Sequence, residues 1–233
     1  MGGMPDDLQT WFESIWKERE ETHYTSFFGE LGAGIYPIQL STFESLGWRD
    51  PDPRFLTHGV FECPPNARRG HWLYVSSGMS NPWGASPETV SADAYSGLGY
   101  EFTLHTRERA RWPILLLHWV MAVQLAVACG EVKGELLQPH DRVPLGGSVG
   151  KKDGIVTHLL VLPPQPPRDG FADATPYSAT FQLPSGKVDL LLLMGISSRE
   201  ADFARTQGAD SLVDVLSHHG FFPCTDPTRV SAV

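Results

Sequence analysis

Two periodicities of hydrophobic residues run along this chain, one typical of helices and the other of strands. Residues 6–21 repeat apolar side chains every three or four positions, the spacing of one face of an amphipathic helix. The residues of that face are Leu8, Trp11, Phe12, Ile15 and Trp16. Residues 114–129 are apolar almost throughout, and Pro113 before them and Gly130 after them mark the ends of a helix buried on most sides. Because this run has sixteen residues and a membrane span needs about 20, we expect a core helix and no membrane insertion.

Short apolar or alternating runs, bounded by glycine and proline, predict the strands of a sheet. These runs are residues 24–28, 34–40, 55–63, 71–76, 100–106, 155–162, 181–183 and 188–196. In residues 100–106, large apolar side chains alternate with polar ones, so the pattern predicts a strand with one buried and one polar face. The polar positions of that strand are Glu101, Thr103 and His105.

A last helix is predicted where Ser197 and Ser198 precede Glu200, since a serine cap followed by an acid is typical of a helix start. We expect it to break near Gly208 and to stop at Gly220. Strands and helices do not alternate regularly, so the predicted class is α+β, with a mixed, mostly antiparallel sheet flanked by about three main helices. The signals spread over residues 1–233 without a linker, which favours a single domain.

Composition and charge exclude several classes of protein. The chain has 233 residues, of which 41% are hydrophobic and 19% charged, so it should fold and is not intrinsically disordered. A net charge of −9 argues against nucleic acid as a partner, because phosphate backbones are bound by clustered Lys and Arg. Cys63, Cys129 and Cys224 are widely spaced and no signal peptide precedes the first helix, so we expect a cytoplasmic protein without a disulfide framework.

Candidate catalytic residues are present, but none of them stands in a complete motif. Gly78-Met79-Ser80 begins a string like a nucleophile elbow, yet Pro82 occupies the place of its last glycine. Ser80 is therefore interpreted as a turn serine that bonds its own backbone. The loop of residues 146–154 resembles a phosphate-binding loop, but its spacing is one residue short and Lys152 replaces the Ser or Thr that would bind magnesium.

The histidines and acids do not form a recognisable metal site either. The nine His residues show no HExxH or HxH pattern and no Cys/His spacing typical of zinc. His118, on the apolar helix, is interpreted as a hydrogen-bonded core histidine. Glu101 and Glu200 are interpreted as solvated or capping acids. We therefore expect no catalytic residue, no metal and no cofactor.

One ordered set of residues resembles a known family, the suppressor of fused domain. The set is His71-Trp72-x-Tyr74-x-Ser76-x-Gly78-x-Ser80-x-x-x-Gly84, then Ser96-Gly97-x-Gly99-Tyr100-Glu101-Phe102-Thr103-Leu104, then Trp112-Pro113. The resemblance is clearest over residues 48–216. It implies the fold of the N-terminal lobe of that family and a non-enzymatic protein that binds another protein.

The same resemblance implies what the partner could be. The animal member of the family has two lobes and clamps a peptide of Gli-type transcription factors between them, whereas this chain resembles the first lobe only, so Gli binding is not expected. Tyr74 stands at a family position that lines the peptide site, which makes it the one candidate partner-binding residue. Bacterial single-lobed relatives imply an immunity protein that binds and neutralises a toxin domain, and the acidic chain suits a basic toxin domain. The oligomeric state stays open.

A second hypothesis is a hydrolase or small-ligand-binding protein whose site is assembled from distant segments. Its residues would be His71, Ser80, Glu101 and His140. This hypothesis requires the four side chains to share one cleft, with a histidine, an acid and a hydroxyl in hydrogen-bonding contact.

Overall fold

The computed structural model of the protein describes residues 6–91, 93–164 and 180–233. Eight strands form one sheet, in the order β1-β2-β3-β4-β8-β6-β5 with β7 paired to β8 outside that path. The strands are β1 (Ile35–Pro37), β2 (Gly59–Cys63), β3 (Trp72–Ser77), β4 (Tyr95–Thr106), β5 (Arg142–Pro144), β6 (His158–Leu162), β7 (Thr180–Leu183) and β8 (Gly186–Ile196). Among these described strands β4 and β8 form the one parallel pair, so the prediction of a mixed, mostly antiparallel sheet in an α+β fold is confirmed.

Helices cover both faces of this sheet. On one face α4 (Trp112–Ala128) packs with side chains of β2, β3 and β4 in a single apolar cluster. The opposite face is covered in two parts. An N-terminal helical run packs near β2, β3 and β7, and α5 (Ser198–Gln207) and α6 (Ala209–His218) pack near β6 and β8. The central strands are therefore shielded from water on both sides.

Because of this double cover, the polar face of β4 is buried instead of exposed to solvent. Glu101, Thr103 and His105 are 0%, 0% and 5% exposed. The N-terminal helix approaches Glu101, and the C-terminal tail runs beside His105, whose backbone oxygen accepts a hydrogen bond from the Thr225 N–H at 2.8 Å. Alternation on β4 correctly separates its two faces, but it cannot show that another segment covers the second one.

The N-terminal helix is longer than predicted. It consists of α1 (Asp6–Lys17), a π-helical segment (Glu18–Tyr24) and α2 (Thr25–Phe28) in direct succession. The predicted amphipathic face is confirmed, since Phe12 and Ile15 are buried. The strand predicted for residues 24–28 is wrong. Tyr24 and Phe28 lie four residues apart on one helical face and pack with β-sheet residues, so tertiary packing overrides the strand preference of these aromatic residues.

The central part of the chain follows the prediction with shorter strands. Residues 34–40 form only the short β1 before α3 (Leu40–Ser45) begins, and residues 55–63 start in a 3-10 turn (Pro53–Thr57) before β2. The buried helix after Pro113 is confirmed as α4, and Gly130 follows it with φ +77°. Within the described ranges, no helix has the length and apolar character needed to cross a bilayer.

The C-terminal helices begin and end as predicted. Ser197 caps α5 in a reciprocal capping box with Glu200, Gly208 (φ +94°) separates α5 from α6, and α6 ends before Gly220. The tail that follows returns to the sheet, where the Thr225 hydroxyl accepts a hydrogen bond from the Gly195 N–H at 2.8 Å. The tail thus holds β8 and β4 from the same side.

Candidate partner-binding site

The four residues of the hydrolase hypothesis do not share a cleft. Ser80 and Glu101 meet, with the Ser80 hydroxyl donating to Glu101 Oε1 at 2.6 Å. His71 precedes β3, and the strand register places it about six residues along the sheet from Glu101, which corresponds to roughly 20 Å. His140 lies exposed in the turn before β5, where its backbone N–H donates to the Val161 carbonyl. The arrangement therefore supplies no histidine to activate Ser80.

Glu101 is the centre of a buried polar network, and its interpretation as a solvated acid is wrong. Its two oxygens accept hydrogen bonds from the Ser76 hydroxyl (2.5 Å), from the backbone N–H groups of Gly78 (2.9 Å) and Ser80 (3.0 Å), and from the Ser80 hydroxyl. Ser80 is 0% exposed and bonds Glu101 rather than its own backbone, so the turn interpretation of Ser80 is also corrected. The network fixes the connection that follows β3 and leaves Ser80 inaccessible to a substrate.

Gly78 shows how closely this connection is packed. Its φ is +132°, and a Cβ built on it would lie 2.3 Å from the Cδ2 atom of the His58 ring. His58 is itself fully buried, and burial is the main reason why its pKa falls to about 4. Only glycine fits this position without displacing the ring.

Glu200 is a capping acid, as predicted, but it is buried. Arg229 from the tail donates to both of its carboxylate oxygens, at 2.6 and 2.7 Å. Burial alone would raise the pKa of Glu200, but the Arg229 guanidinium and the backbone N–H groups of Ala232 and Ser197 together lower it. The pair fastens the tail to α5.

Two further histidines, His105 and His118, are buried in the fold. His118 is 6% exposed and its Nε2 lies 2.8 Å from the Tyr36 carbonyl, which confirms the hydrogen-bonded core histidine, and burial lowers its pKa. His71 Nε2 and His105 Nδ1 are 2.7 Å apart. Among the described residues, no group of three or more His, Cys, Asp or Glu side chains is arranged to hold a metal ion.

Tyr74, the candidate partner-binding residue, lies beneath the surface. Its side chain is 0% exposed, and its hydroxyl both donates to the Ala110 carbonyl and accepts from the Ala110 N–H, each at 2.9 Å. Burial raises its pKa. Tyr74 therefore fixes the segment between β4 and α4, and its influence on the surface passes through Ala110.

Ala110 lies at the side of an open groove, here named the Leu115 groove. The groove has a volume of about 700 Å³ and runs between β1, the first turns of α4 and the segment before α4. Its lining residues are Tyr36, Pro37, Gln39, Glu62, Arg109, Ala110, Arg111, Ile114, Leu115 and His118. Sequence reasoning missed these residues, because only tertiary packing shows which side of an entirely apolar helix remains uncovered.

Comparison with known proteins places this geometry in a family. Comparison with curated protein sequences gives no significant match. Among solved structures, the chain is similar to that of the Sufu–Fu complex (TM-score 0.59, 16% identity, 99% of this chain and 93% of the other). It is also similar to Drosophila Suppressor of Fused (TM-score 0.56, 18% identity, 84% of this chain and 51% of the other). A third similar structure is that of a suppressor of fused homologue from Neisseria gonorrhoeae. Its TM-score is 0.58 and its sequence identity 16%, with 97% of this chain and 98% of the other covered.

The sequence comparison covers most of the folded chain. The family model described as Suppressor of fused protein (SUFU) matches residues 56–230, from the turn before β2 to the C-terminal tail. The matched range includes Tyr74, Glu101, the whole of α4 and Arg229. The chain belongs to the suppressor of fused family.

Proposed function

We propose that this chain is a non-enzymatic protein-interaction module. The observation that carries the proposal is its suppressor of fused fold over residues 56–230, a fold that is also found in a solved complex of Sufu with Fu. The dispersal of His71, Ser80 and His140 supports it, since the residues that could have formed a hydrolytic site are used in packing or lie apart. A single domain over residues 1–233 agrees with the one continuous sheet.

The more specific proposal is an immunity-type protein that binds and neutralises a toxin domain in the cytoplasm. The net charge of −9 supports a basic partner, and part of this charge lies on the N-terminal helix. Asp7, Glu13 and Glu21 are exposed there, next to the single exposed cation Lys17. Complementary charge would speed the encounter with a basic domain and make the association rate fall with added salt.

Tyr74 is proposed to contribute to partner binding as a positioning residue. Its hydroxyl holds both backbone groups of Ala110, and Ala110 lines the surface groove that a partner can reach. The Tyr74 ring supports that surface from below and does not touch the partner.

The experiment is co-expression with a candidate toxin domain, for which the product of the adjacent gene is the first to be tested. We expect the toxin domain alone to arrest growth of a bacterial host, and co-expression of this chain to restore growth and to yield a complex of the two proteins. A Leu117→Asp variant is the matched control, because Leu117 is 0% exposed in the core and the variant should neither fold nor protect. Growth arrest that persists beside soluble wild-type chain would contradict the immunity function.

A further inference from the structure

Leu115 is an exposed apolar residue among buried neighbours in the first turns of α4. It is 54% exposed, whereas its neighbours Ile114, Leu116 and Leu117 are 7%, 6% and 0% exposed. It projects into the Leu115 groove, beside Tyr36 and Pro37 of the edge strand β1. An exposed apolar side chain at the wall of a groove of about 700 Å³ is typical of a site that receives another apolar group, since ligand clefts measure about 300–1,000 Å³.

The charge at the groove is positive, although the chain as a whole is acidic. Arg109 and Glu62 neutralise each other, with Arg109 Nη2 2.8 Å from Glu62 Oε2. Arg111 is exposed, and within the described ranges its side chain makes no hydrogen bond or ion pair. His118 is kept neutral at pH 7, because burial lowers its pKa. One cation without a counter-ion therefore stands beside the apolar wall.

We propose that the Leu115 groove receives a partner segment in which a bulky apolar side chain lies next to a carboxylate. The apolar side chain would pack on Leu115 and Pro37, and the carboxylate would pair with Arg111, whose planar guanidinium suits bidentate contact. This inference rests on the proposed function and names the surface and the chemistry of contact. The acidic N-terminal helix would attract a basic partner domain from a distance, and the groove would fix the orientation in which that domain docks.

The edge strand argues for contact through side chains rather than strand addition. β1 has three residues, and the last of them, Pro37, has no backbone N–H to donate. The Tyr36 carbonyl is already paired with His118. A short edge that ends in proline is a poor template for another strand, so the groove beside it is the feature that recognises the partner.

The test measures binding of the purified chain to the purified toxin domain that arrests growth in the co-expression experiment. We expect Leu115→Asp to raise Kd by about tenfold or more, because it places a charge against the apolar group of the partner. Arg111→Glu should also raise Kd, by about threefold or more and mainly through faster dissociation, because it sets a like charge against the carboxylate of the partner. Val230→Asp is the matched control: Val230 is an apolar residue of the tail, 74% exposed, and its substitution should change Kd by less than about twofold.

The outcomes separate this inference from the proposed function. In one outcome, the wild-type chain binds the toxin domain and a folded Leu115→Asp variant binds it with the same Kd. This result would contradict the role of the groove in binding and would leave the immunity function intact. Absence of binding by the wild-type chain would overturn both. Weakened binding by Leu115→Asp and Arg111→Glu, with Val230→Asp unaffected and all variants showing wild-type circular dichroism, would support the groove.

Discussion

Arg19 on the N-terminal helix and Glu101 at the centre of the sheet form a buried ion pair. Arg19 Nη1 lies 3.8 Å from Glu101 Oε1, and the two side chains are 2% and 0% exposed. The same nitrogen donates to the Ser80 hydroxyl at 3.1 Å and to the side-chain oxygen Oδ1 of Asn81 at 2.7 Å. Because the family match begins at residue 56, this contact ties a helix outside the matched range to the matched core.

Loss of the Arg19 charge should destabilise the fold strongly. In an Arg19→Met variant, Glu101 would remain buried without its cation, so we expect the free energy of unfolding to fall by about 3–5 kcal/mol. The double variant Arg19→Met/Glu101→Gln should recover part of this loss, since it removes both charges. Urea denaturation of the wild-type chain, of Arg19→Met, of Glu101→Gln and of the double variant measures the coupling energy between the two side chains.

A matched surface pair gives the control for this prediction. Arg205 and Asp202 are 3.0 Å apart on α5, with side chains 66% and 71% exposed. Arg205→Met should change the free energy of unfolding by less than about 0.5 kcal/mol. Equal losses for Arg19→Met and Arg205→Met would show that burial does not govern the Arg19 contact.

The buried histidines predict a loss of stability in acid. The pKa of His58 falls to about 4 in the folded protein, mainly through burial, so the unfolded chain binds more protons below pH 6.5. Stability is therefore complete above about pH 6.5 and declines as the pH falls toward 4, with His58 costing about 2 kcal/mol at pH 5. Burial also lowers the pKa of His105, which adds to the decline.

Urea denaturation at pH 7.5 and pH 5 measures this effect, in a range where most carboxylates remain charged. The Trp83 indole N–H lies 3.3 Å from His58 Nε2, and His58→Gln keeps a polar side chain there that does not titrate. In this variant the difference in the free energy of unfolding between the two pH values should shrink. An equal free energy of unfolding at both pH values in the wild-type chain would contradict the prediction.

Tyr74→Phe tests whether the hydroxyl fixes the segment before α4. The variant leaves the backbone N–H and carbonyl of Ala110 without their partner, so we expect a loss of about 1–3 kcal/mol in stability together with weaker partner binding. Tyr95→Phe is the control, because Tyr95 is 59% exposed and its hydroxyl donates to the half-buried Asp189. Stability is measured by urea denaturation and binding by calorimetry. Identical behaviour of the two variants would show that the Ala110 contacts have no role.

Arg229→Met should weaken the attachment of the tail to the C-terminal helices. Glu200 would lose its two contacts with Arg229 and remain fully buried, which we expect to cost about 3–5 kcal/mol. Hydrogen exchange should then rise at Thr225, whose N–H bonds His105 on β4, before it rises in α4. Unchanged exchange at Thr225 in a folded variant would show that another contact holds the tail.

The sequence by itself determined the elements whose signal is local. The amphipathic face of Phe12 and Ile15, the start of α4 at Pro113 and the cap formed by Ser197 and Glu200 depend on residues within a few positions of one another, and each is confirmed. The class of the sheet also followed, from the irregular order of strand and helix signals, and the family followed from the glycine and aromatic positions around β3 and β4.

Only the tertiary structure decided which polar residues would be buried and which apolar residue would remain outside. Glu101 has the pattern of a surface acid and Leu115 that of a core residue, yet Glu101 is 0% and Leu115 54% exposed. The cover over Glu101 comes from Arg19, more than eighty residues earlier in the chain, and the groove at Leu115 exists because β1 ends beside α4. Burial is a sum over contacts between distant segments, so no local pattern of residues can determine it.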